Sequence, residues 1–164
     1  MKIAIISDIH GNEAYLARAK AIIDAEKLKI VICCGDIQDE ELFKKLDKWP
    51  QKVYIALGNA DYRIRESLDR GTLWAEHAEV SLDYGVLNID GAKIAYCHHD
   101  YLAKKLAAFG KFDIVFYGHT HTPWEEKIGK TILLNPGELA AQFGIPTFAI
   151  YDLKTMKAEL RLLN

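Results

Sequence analysis

Met1-Lys2-Ile3-Ala4-Ile5-Ile6-Ser7-Asp8, residues 1–8, is an apolar run rich in Ile that stops on a hydroxyl and a carboxylate. A run this short and this continuous predicts a strand buried on both faces, as in parallel sheets covered by helices. Two further runs repeat the pattern: Ile30-Val31-Ile32-Cys33-Cys34 closed by Gly35-Asp36, and Val53-Tyr54-Ile55-Ala56-Leu57 closed by Gly58-Asn59. Between them, residues 13–27 carry Tyr15, Leu16, Ala19, Ile22 and Ile23 at helical spacing, with Arg18, Asp24 and Lys27 left to face water and Asn12 placed as N-cap. Residues 40–48 read as a charged helix that Trp49-Pro50 ends. Strand, helix, strand, helix, strand predicts a parallel sheet with right-handed crossovers.

Beyond this the pattern changes. A short helix is expected over 63–70, then closely spaced strands over 86–89 and 93–97 about a turn at Gly91. A helix over 100–109, a buried strand over 114–117, and strands over 131–134, 147–153 and 157–162 complete the reading, the last two paired across Lys154-Thr155. One α/β body spanning residues 1–164 as a single domain is expected, with a parallel half and a more antiparallel half.

Composition narrows the function. Half of the 164 residues are hydrophobic and 27% are charged, the balance of a globular chain. A net charge of −2 supplies no bulk positive field, so neither high-affinity nucleic-acid binding nor attachment to an anionic membrane is expected. No apolar run approaches the roughly 20 residues of a membrane helix, and the N-terminal run meets Asp8 too early for a signal peptide, which predicts a cytoplasmic protein. Cys33, Cys34 and Cys97 are odd in number and lack a C-x-x-C pair, so they read as buried apolar side chains. Lys44-Lys45 and Lys104-Lys105 read as solvated helix faces, and His77 as a surface residue.

The chemistry-bearing residues sit just past strand ends: Asp8 and His10, Asp36, Asn59, His98, and His119 with His121. Ligands of open α/β sheets bind at that edge, where loops converge over a rigid sheet. Asp8/His10 and His119/His121 are spaced i, i+2, which in extended chain puts both side chains on one side. Four of the chain's six His fall in these loops. Imidazole with carboxylate and without thiolate suits Mn²⁺, Fe²⁺, Ni²⁺, Co²⁺ or Zn²⁺. Seven donors exceed the needs of one ion that must keep open positions, which points to two.

Asp8-x-His10, Gly35-Asp36, Gly58-Asn59, His98 and Gly118-His119-x-His121 resemble the motif set of the calcineurin-like metallophosphoesterases, in particular their small bacterial and archaeal phosphodiesterase branch. The resemblance covers nearly the whole chain. It implies a two-sheet αββα sandwich with metals at the C-terminal edge of the strands. It also implies a binuclear phosphoesterase, foremost a phosphodiesterase, acting on a small phosphodiester or phosphate ester through a metal-bridging hydroxide. By the same resemblance, one ion takes Asp8, His10, Asp36 and His121, and the other takes Asp36, Asn59, His98 and His119. Asp36, Asn59 and His98 are then the catalytic residues, with Mn²⁺ or Ni²⁺ the foremost metals and Zn²⁺, Fe²⁺ or Co²⁺ alternatives. Two divalent ions, two carboxylates and a hydroxide leave about +1 for a docking phosphate.

The chain departs from the family pattern in two places. Ala60 stands where many members carry a His that helps protonate the leaving group, which forgoes part of a roughly 10²–10⁴-fold contribution unless Asp61, Tyr62, Arg63 or water replaces it. In Cys97-His98-His99-Asp100, His98 takes the ligand place, with His99 as the alternative by a one-residue slip, and Asp100 puts a carboxylate where a second His approaches the phosphate. Asn12, Asn59, Asp61 and Asp100 are the candidate substrate contacts, although Asn12 reads equally as a helix cap. Trp124 reads either as a wall of the site or as packing, and Asn135-Pro136-Gly137 as a turn near the metals. The competing function is a protein-binding scaffold on the same fold, like the retromer subunit that resembles this family. A DNA nuclease is disfavoured by the negative net charge, and the oligomeric state is left open, a homo-oligomer included.

Overall fold

The computed structural model of the chain describes residues 1–163. In order these form β1 (Lys2–Ile6), α1 (Glu13–Ala25), β2 (Ile30–Cys33), α2 (Glu40–Asp47), β3 (Lys52–Ala56), a 3₁₀ turn (Asn59–Asp61), α3 (Tyr62–Asp69) and β4 (Glu79–Ser81). There follow β5 (Tyr84–Ile89), β6 (Ala92–Cys97), α4 (Asp100–Ala108), β7 (Ile114–Phe116), β8 (Trp124–Ile128), β9 (Thr131–Asn135), β10 (Thr147–Asp152) and β11 (Lys157–Leu162). One sheet runs β11-β10-β1-β2-β3-β4, the other β5-β6-β7-β9-β8.

Side-chain alternation along β1 builds the layers. Ile3 and Ile5 belong to the apolar layer between the sheets, with Tyr96, Phe116, Leu134 and Tyr151. Ala4 and Ile6 belong to the opposite layer, where Leu16 and Ile23 of α1, Phe43 and Leu46 of α2 and Ile64 of α3 cover the first sheet. Ala103, Leu106 and Ala107 of α4 cover the far face of the second sheet against Ala95, Val115 and Leu133. The result is the expected helix, sheet, sheet, helix sandwich, each large buried side chain contributing about 2 kcal/mol by leaving water.

The division into a parallel and an antiparallel half does not follow chain order. β10 lies antiparallel beside β1, from Lys2↔Asp152 to Ile5↔Ala149, so the first sheet gains an antiparallel flank. The second sheet keeps a parallel centre in β6, β7 and β9. Two short edge strands, β4 and β8, carry no apolar run in their sequence because each is half exposed. The three cysteines are free and buried, and burial pushes each thiol's pKa above its ordinary value. No helix among the described residues is long and apolar enough to cross a membrane.

Candidate metal centre

Asp8 and His10 follow β1, Asp36 follows β2, Asn59 opens the 3₁₀ turn after β3, His98 follows β6, and His119 and His121 follow β7. The i, i+2 pairs converge for a reason other than the extended chain expected. Asp8, His10, Asp36, His119 and His121 have φ of 52, 44, 54, 70 and 59°, all left-handed. The strands have ended, and their backbone bonds are replaced by loop-to-loop bonds: Asp8 N–H to the Gly35 carbonyl and Ile9 N–H to the Asp36 carbonyl, both 2.9 Å. Each non-glycine residue held there costs about 1 kcal/mol or more, and such strain concentrates at functional sites. Two glycines give the carboxylates room: a Cβ at Gly58 would lie 2.1 Å from Asp36 Oδ1, and one at Gly118 2.7 Å from Asp8 Oδ2.

All seven sequence-predicted donors meet. Asp8, His10 and His121 offer ligand atoms within 4.8 Å of one another, as do Asp8, Asp36 and His98, and so do His98, His99 and His119. Asn59 joins through Oδ1, 3.0 Å from His98 Nε2. His98 Nε2 also lies 3.3 Å from Asp36 Oδ2 and 3.2 Å from His119 Nδ1. His10 Nε2 stands 3.4 Å from Asp36 Oδ2, and His121 Nε2 3.4 Å from Asp8 Oδ1. His98, not His99, takes the central place, while His99 adds an imidazole at the rim, its ring 4.8 Å from that of His119.

Proton positions show why this cluster suits cations. His98 Nδ1 sits 2.8 Å from the Cys34 carbonyl, which only accepts, so Nδ1 carries the hydrogen. In the neutral ring Nε2 then carries the lone pair, and it faces the oxygens of Asn59 and Asp36 and Nδ1 of His119. His10 repeats the arrangement: Nδ1 donates to Gln38 Oε1 at 3.2 Å, and its buried Nε2 has no hydrogen-bond partner among the described residues. His121 does so too, Nδ1 donating to Glu138 Oε2 at 2.7 Å. Lone pairs turned inward on carboxylates are relieved by extra protons or by metal ions. Burial opposes charge on His98, yet Asp36 beside it outweighs burial and raises its pKa. The donor set therefore fits divalent transition-metal ions.

The family model of the calcineurin-like phosphoesterase superfamily domain matches residues 1–156. The chain belongs to the calcineurin-like phosphoesterase superfamily. Phosphodiesterase MJ0936 of Methanocaldococcus jannaschii is 31% identical over 164 residues, covering 98% of this chain and 97% of that protein. A solved structure described as a novel archaeal phosphodiesterase superposes with a TM-score of 0.85 at 28% identity, covering 99% of this chain and 100% of that one. Vacuolar Protein Sorting 29 from Cryptosporidium parvum shares the fold, with a TM-score of 0.69 at 20% identity over 99% of this chain and 96% of that one.

In this member of the superfamily, several groups behind the donors had no distinct signal in the sequence. Glu138, 1% exposed, holds His121 and accepts the N–H groups of Phe143 and Gly144 at 2.7 and 2.8 Å. It follows Asn135-Pro136-Gly137, and only that motif's nearness to the centre pointed toward it. Asp61, read as a substrate contact, is instead buried, its oxygens committed to the N–H groups of Asp36, Gln38 and Gly58 at 2.9, 2.7 and 2.8 Å. A carboxylate so engaged shapes the Asp36 loop and does not reach a substrate. Ala60 contributes its backbone, N–H to Asp36 Oδ1 at 2.7 Å. Asn12 caps α1 through Tyr15 N–H at 3.3 Å and donates to the Ala140 carbonyl at 3.0 Å, which engages both ends of its amide. Asp100 pairs with Lys104 at 3.7 Å and lines a separate hollow with Thr120 and Trp124, apart from Asn59 and His99.

Burial raises the pKa of Asp8 against the pull of His98 and His121. Burial presses Asp36 the same way, but His98, the Ala60 N–H and His10 outweigh it and bring its pKa below the ordinary value. Of these two carboxylates, the more central is the one whose neighbours favour the charged form.

Proposed function

We propose that this chain is a metal-dependent phosphodiesterase that holds two divalent ions. Asp8, His10, Asp36 and His121 would hold one, and Asp36, Asn59, His98 and His119 the other, with Asp36 shared. When bound, the ions would supply positive charge for the phosphoryl oxygens and lower the pKa of water at the site toward neutrality. The observation that carries this reading is the inward lone pair of His98, set against Asp36 and Asn59 with its other nitrogen fixed by the Cys34 carbonyl.

The chain's own residues define the rest. Asn59 and the imidazoles are neutral donors, so they hold cations without cancelling the charge that attracts a phosphate. Asp36 is fixed by Ala60 N–H, Asp61 fixes the loop beneath it, and Glu138 fixes His121, so the donors need little rearrangement. With Ala60 in the chain, no side chain at that position protonates the leaving group. Diesters with good leaving groups are therefore the favoured substrates.

The test is hydrolysis of bis(p-nitrophenyl) phosphate after chelation and after adding back Mn²⁺, Ni²⁺ or Zn²⁺. Turnover that disappears with chelator and returns with metal is expected. No turnover with any of these ions would overturn the reading and favour the non-catalytic scaffold.

A further inference from the structure

Beside the metal cluster lies a hollow of about 530 Å³. Asn59 and His99 form its inner wall, so it opens directly off the side of the centre occupied by His98 and His119. Its outer lining includes Tyr62 at the start of α3, Tyr84 at the start of β5 and Tyr101 in the first turn of α4. These rings are 61, 48 and 56% exposed. Three exposed tyrosines from three separate elements present aromatic surface around one hollow, edged by hydroxyls, with Arg63 over the Tyr62 ring at 5.8 Å and Lys105 over the Tyr101 ring at 5.6 Å. Tyr101 is already stacked on His99, ring centres 5.2 Å apart and planes within 24°, which continues the aromatic surface to the metal donors.

Charge narrows the occupant. Arg65 also lines the hollow, but its guanidinium is engaged by the Leu82 carbonyl and by Asp83 Oδ1 at 3.4 Å. Arg65 is therefore not free to take a second anionic group, and Arg63 and Lys105 lie over the rings of Tyr62 and Tyr101. The volume exceeds what a phosphoryl group needs and falls within the roughly 300–1,000 Å³ of small-molecule sites. Resting on the phosphodiesterase reading, we infer that this hollow is the subsite for the ester arm that stays on phosphorus, opposite the leaving group, and that this arm is an uncharged planar aromatic group, a nucleobase or an aryl ring. The phosphate sits at the cluster, and the arm passes Asn59 and His99 to stack among Tyr62, Tyr84 and Tyr101.

The test compares two diesters with the same p-nitrophenolate leaving group, one with a thymidine arm and one with a methyl arm, on the Mn²⁺-loaded protein. Stacking of one base is worth about 1–3 kcal/mol, so kcat/KM should favour the thymidine diester by about 5- to 150-fold, chiefly through KM. In the Tyr62→Ala/Tyr84→Ala variant the ratio should fall to within about twofold. Equal kcat/KM for the two diesters, or a ratio that survives the double substitution, would overturn the subsite. Calorimetry of thymidine 5′-monophosphate against methyl phosphate supplies a readout free of turnover. Tighter thymidylate binding that the double variant loses, with neither diester hydrolysed, would uphold the subsite and remove the hydrolase. Both diesters hydrolysed equally would do the reverse.

Discussion

Two buried aspartates do the same structural work at different places in the fold. Asp61 at the metal edge accepts the N–H groups of Asp36, Gln38 and Gly58. Asp47, at the end of α2, accepts those of Glu76, His77 and Ala78 at 2.9, 2.9 and 2.7 Å. Their exposures are 1 and 5%. At Asp47 burial raises the pKa, but the three N–H groups outweigh it and the carboxyl titrates below its ordinary value. At Asp61 burial prevails, helped by the charge of Asp36, and the pKa is raised despite the same kind of bonds. With similar hydrogen bonding, the difference comes from surroundings: desolvation weighs more on Asp61 than on Asp47, and the charge of Asp36 adds to it at the metal edge and has no counterpart in the far loop. One region is electrostatically relaxed, and the other is built to be completed by cations.

The largest effect should follow from removing the charge at the centre of the crowded region. Asp36→Asn keeps the shape but deletes the carboxylate that the proposed two-ion reading shares between both ions. Turnover of an aryl phosphodiester should fall about 10³-fold or more while circular dichroism and melting stay near wild type. Retained turnover would mean that the crowding of carboxylates has no catalytic purpose.

Next comes the group behind His121. A carboxylate that accepts from a ligating imidazole fixes its orientation and raises its basicity, and loss of such partners typically weakens metal binding by about 10–100-fold. Glu138→Gln should produce that loss in a Mn²⁺ titration, since the amide oxygen can accept from His121 only by turning its NH₂ toward the N–H groups of Phe143 and Gly144, and the charge is gone. On the other side His98 leans on the Cys34 carbonyl, a partner that no side-chain substitution removes. An unchanged Mn²⁺ affinity in Glu138→Gln would show that the two anchors are interchangeable.

What the sequence could and could not disclose follows the same division. The strands of the sandwich were legible because burial on both faces demands continuous apolar runs, and the convergence of the seven polar side chains because all of them fall just past strand ends, at one edge of the sheets. β4 and β8 were not, since a half-exposed edge strand such as Trp124-Glu125-Glu126-Lys127-Ile128 leaves only a weak trace. The left-handed turns at Asp8 and His119 were not either, because nothing in a D-x-H or H-x-H spacing separates a turn from extended chain. Glu138 and Asp47, and the structural role of Asp61, escaped for a third reason. Their partners are a ring nitrogen and backbone amides, many of them 17 or more residues away, and no local pattern marks a carboxylate whose role is to collect them.

The relaxed region gives the next effect. Asp47→Asn leaves Oδ1 serving His77 and Ala78 but turns an NH₂ toward the Glu76 N–H, and it removes the charge. A hydrogen bond to a charged group is worth about 1.5–3 kcal/mol, so chemical denaturation at pH 7 should show a loss of about 2 kcal/mol. The sign with pH is fixed by the lowered pKa of Asp47. Its contribution is present in full above the unfolded value of about 3.9 and is lost as pH falls through the lower folded value. The gap between wild type and Asp47→Asn should therefore close on acidification below about pH 4.

The smallest effect makes the comparison sharpest. In Asp61→Asn the amide oxygen can serve Asp36 and Gly58 while the NH₂ meets only the Gln38 N–H, the same geometric penalty as at Asp47. Any difference between the two variants is then electrostatic. Because its surroundings already disfavour a charge on Asp61, the metal-free protein should lose only about 0.5–1.5 kcal/mol, less than for Asp47→Asn under the same conditions. Divalent ions should widen the cost of Asp61→Asn and leave that of Asp47→Asn unchanged, since only Asp61 borders the cluster they enter. Equal losses in the metal-free protein would mean that crowding at the metal edge carries no free energy, and the contrast between the two regions would reduce to a matter of position.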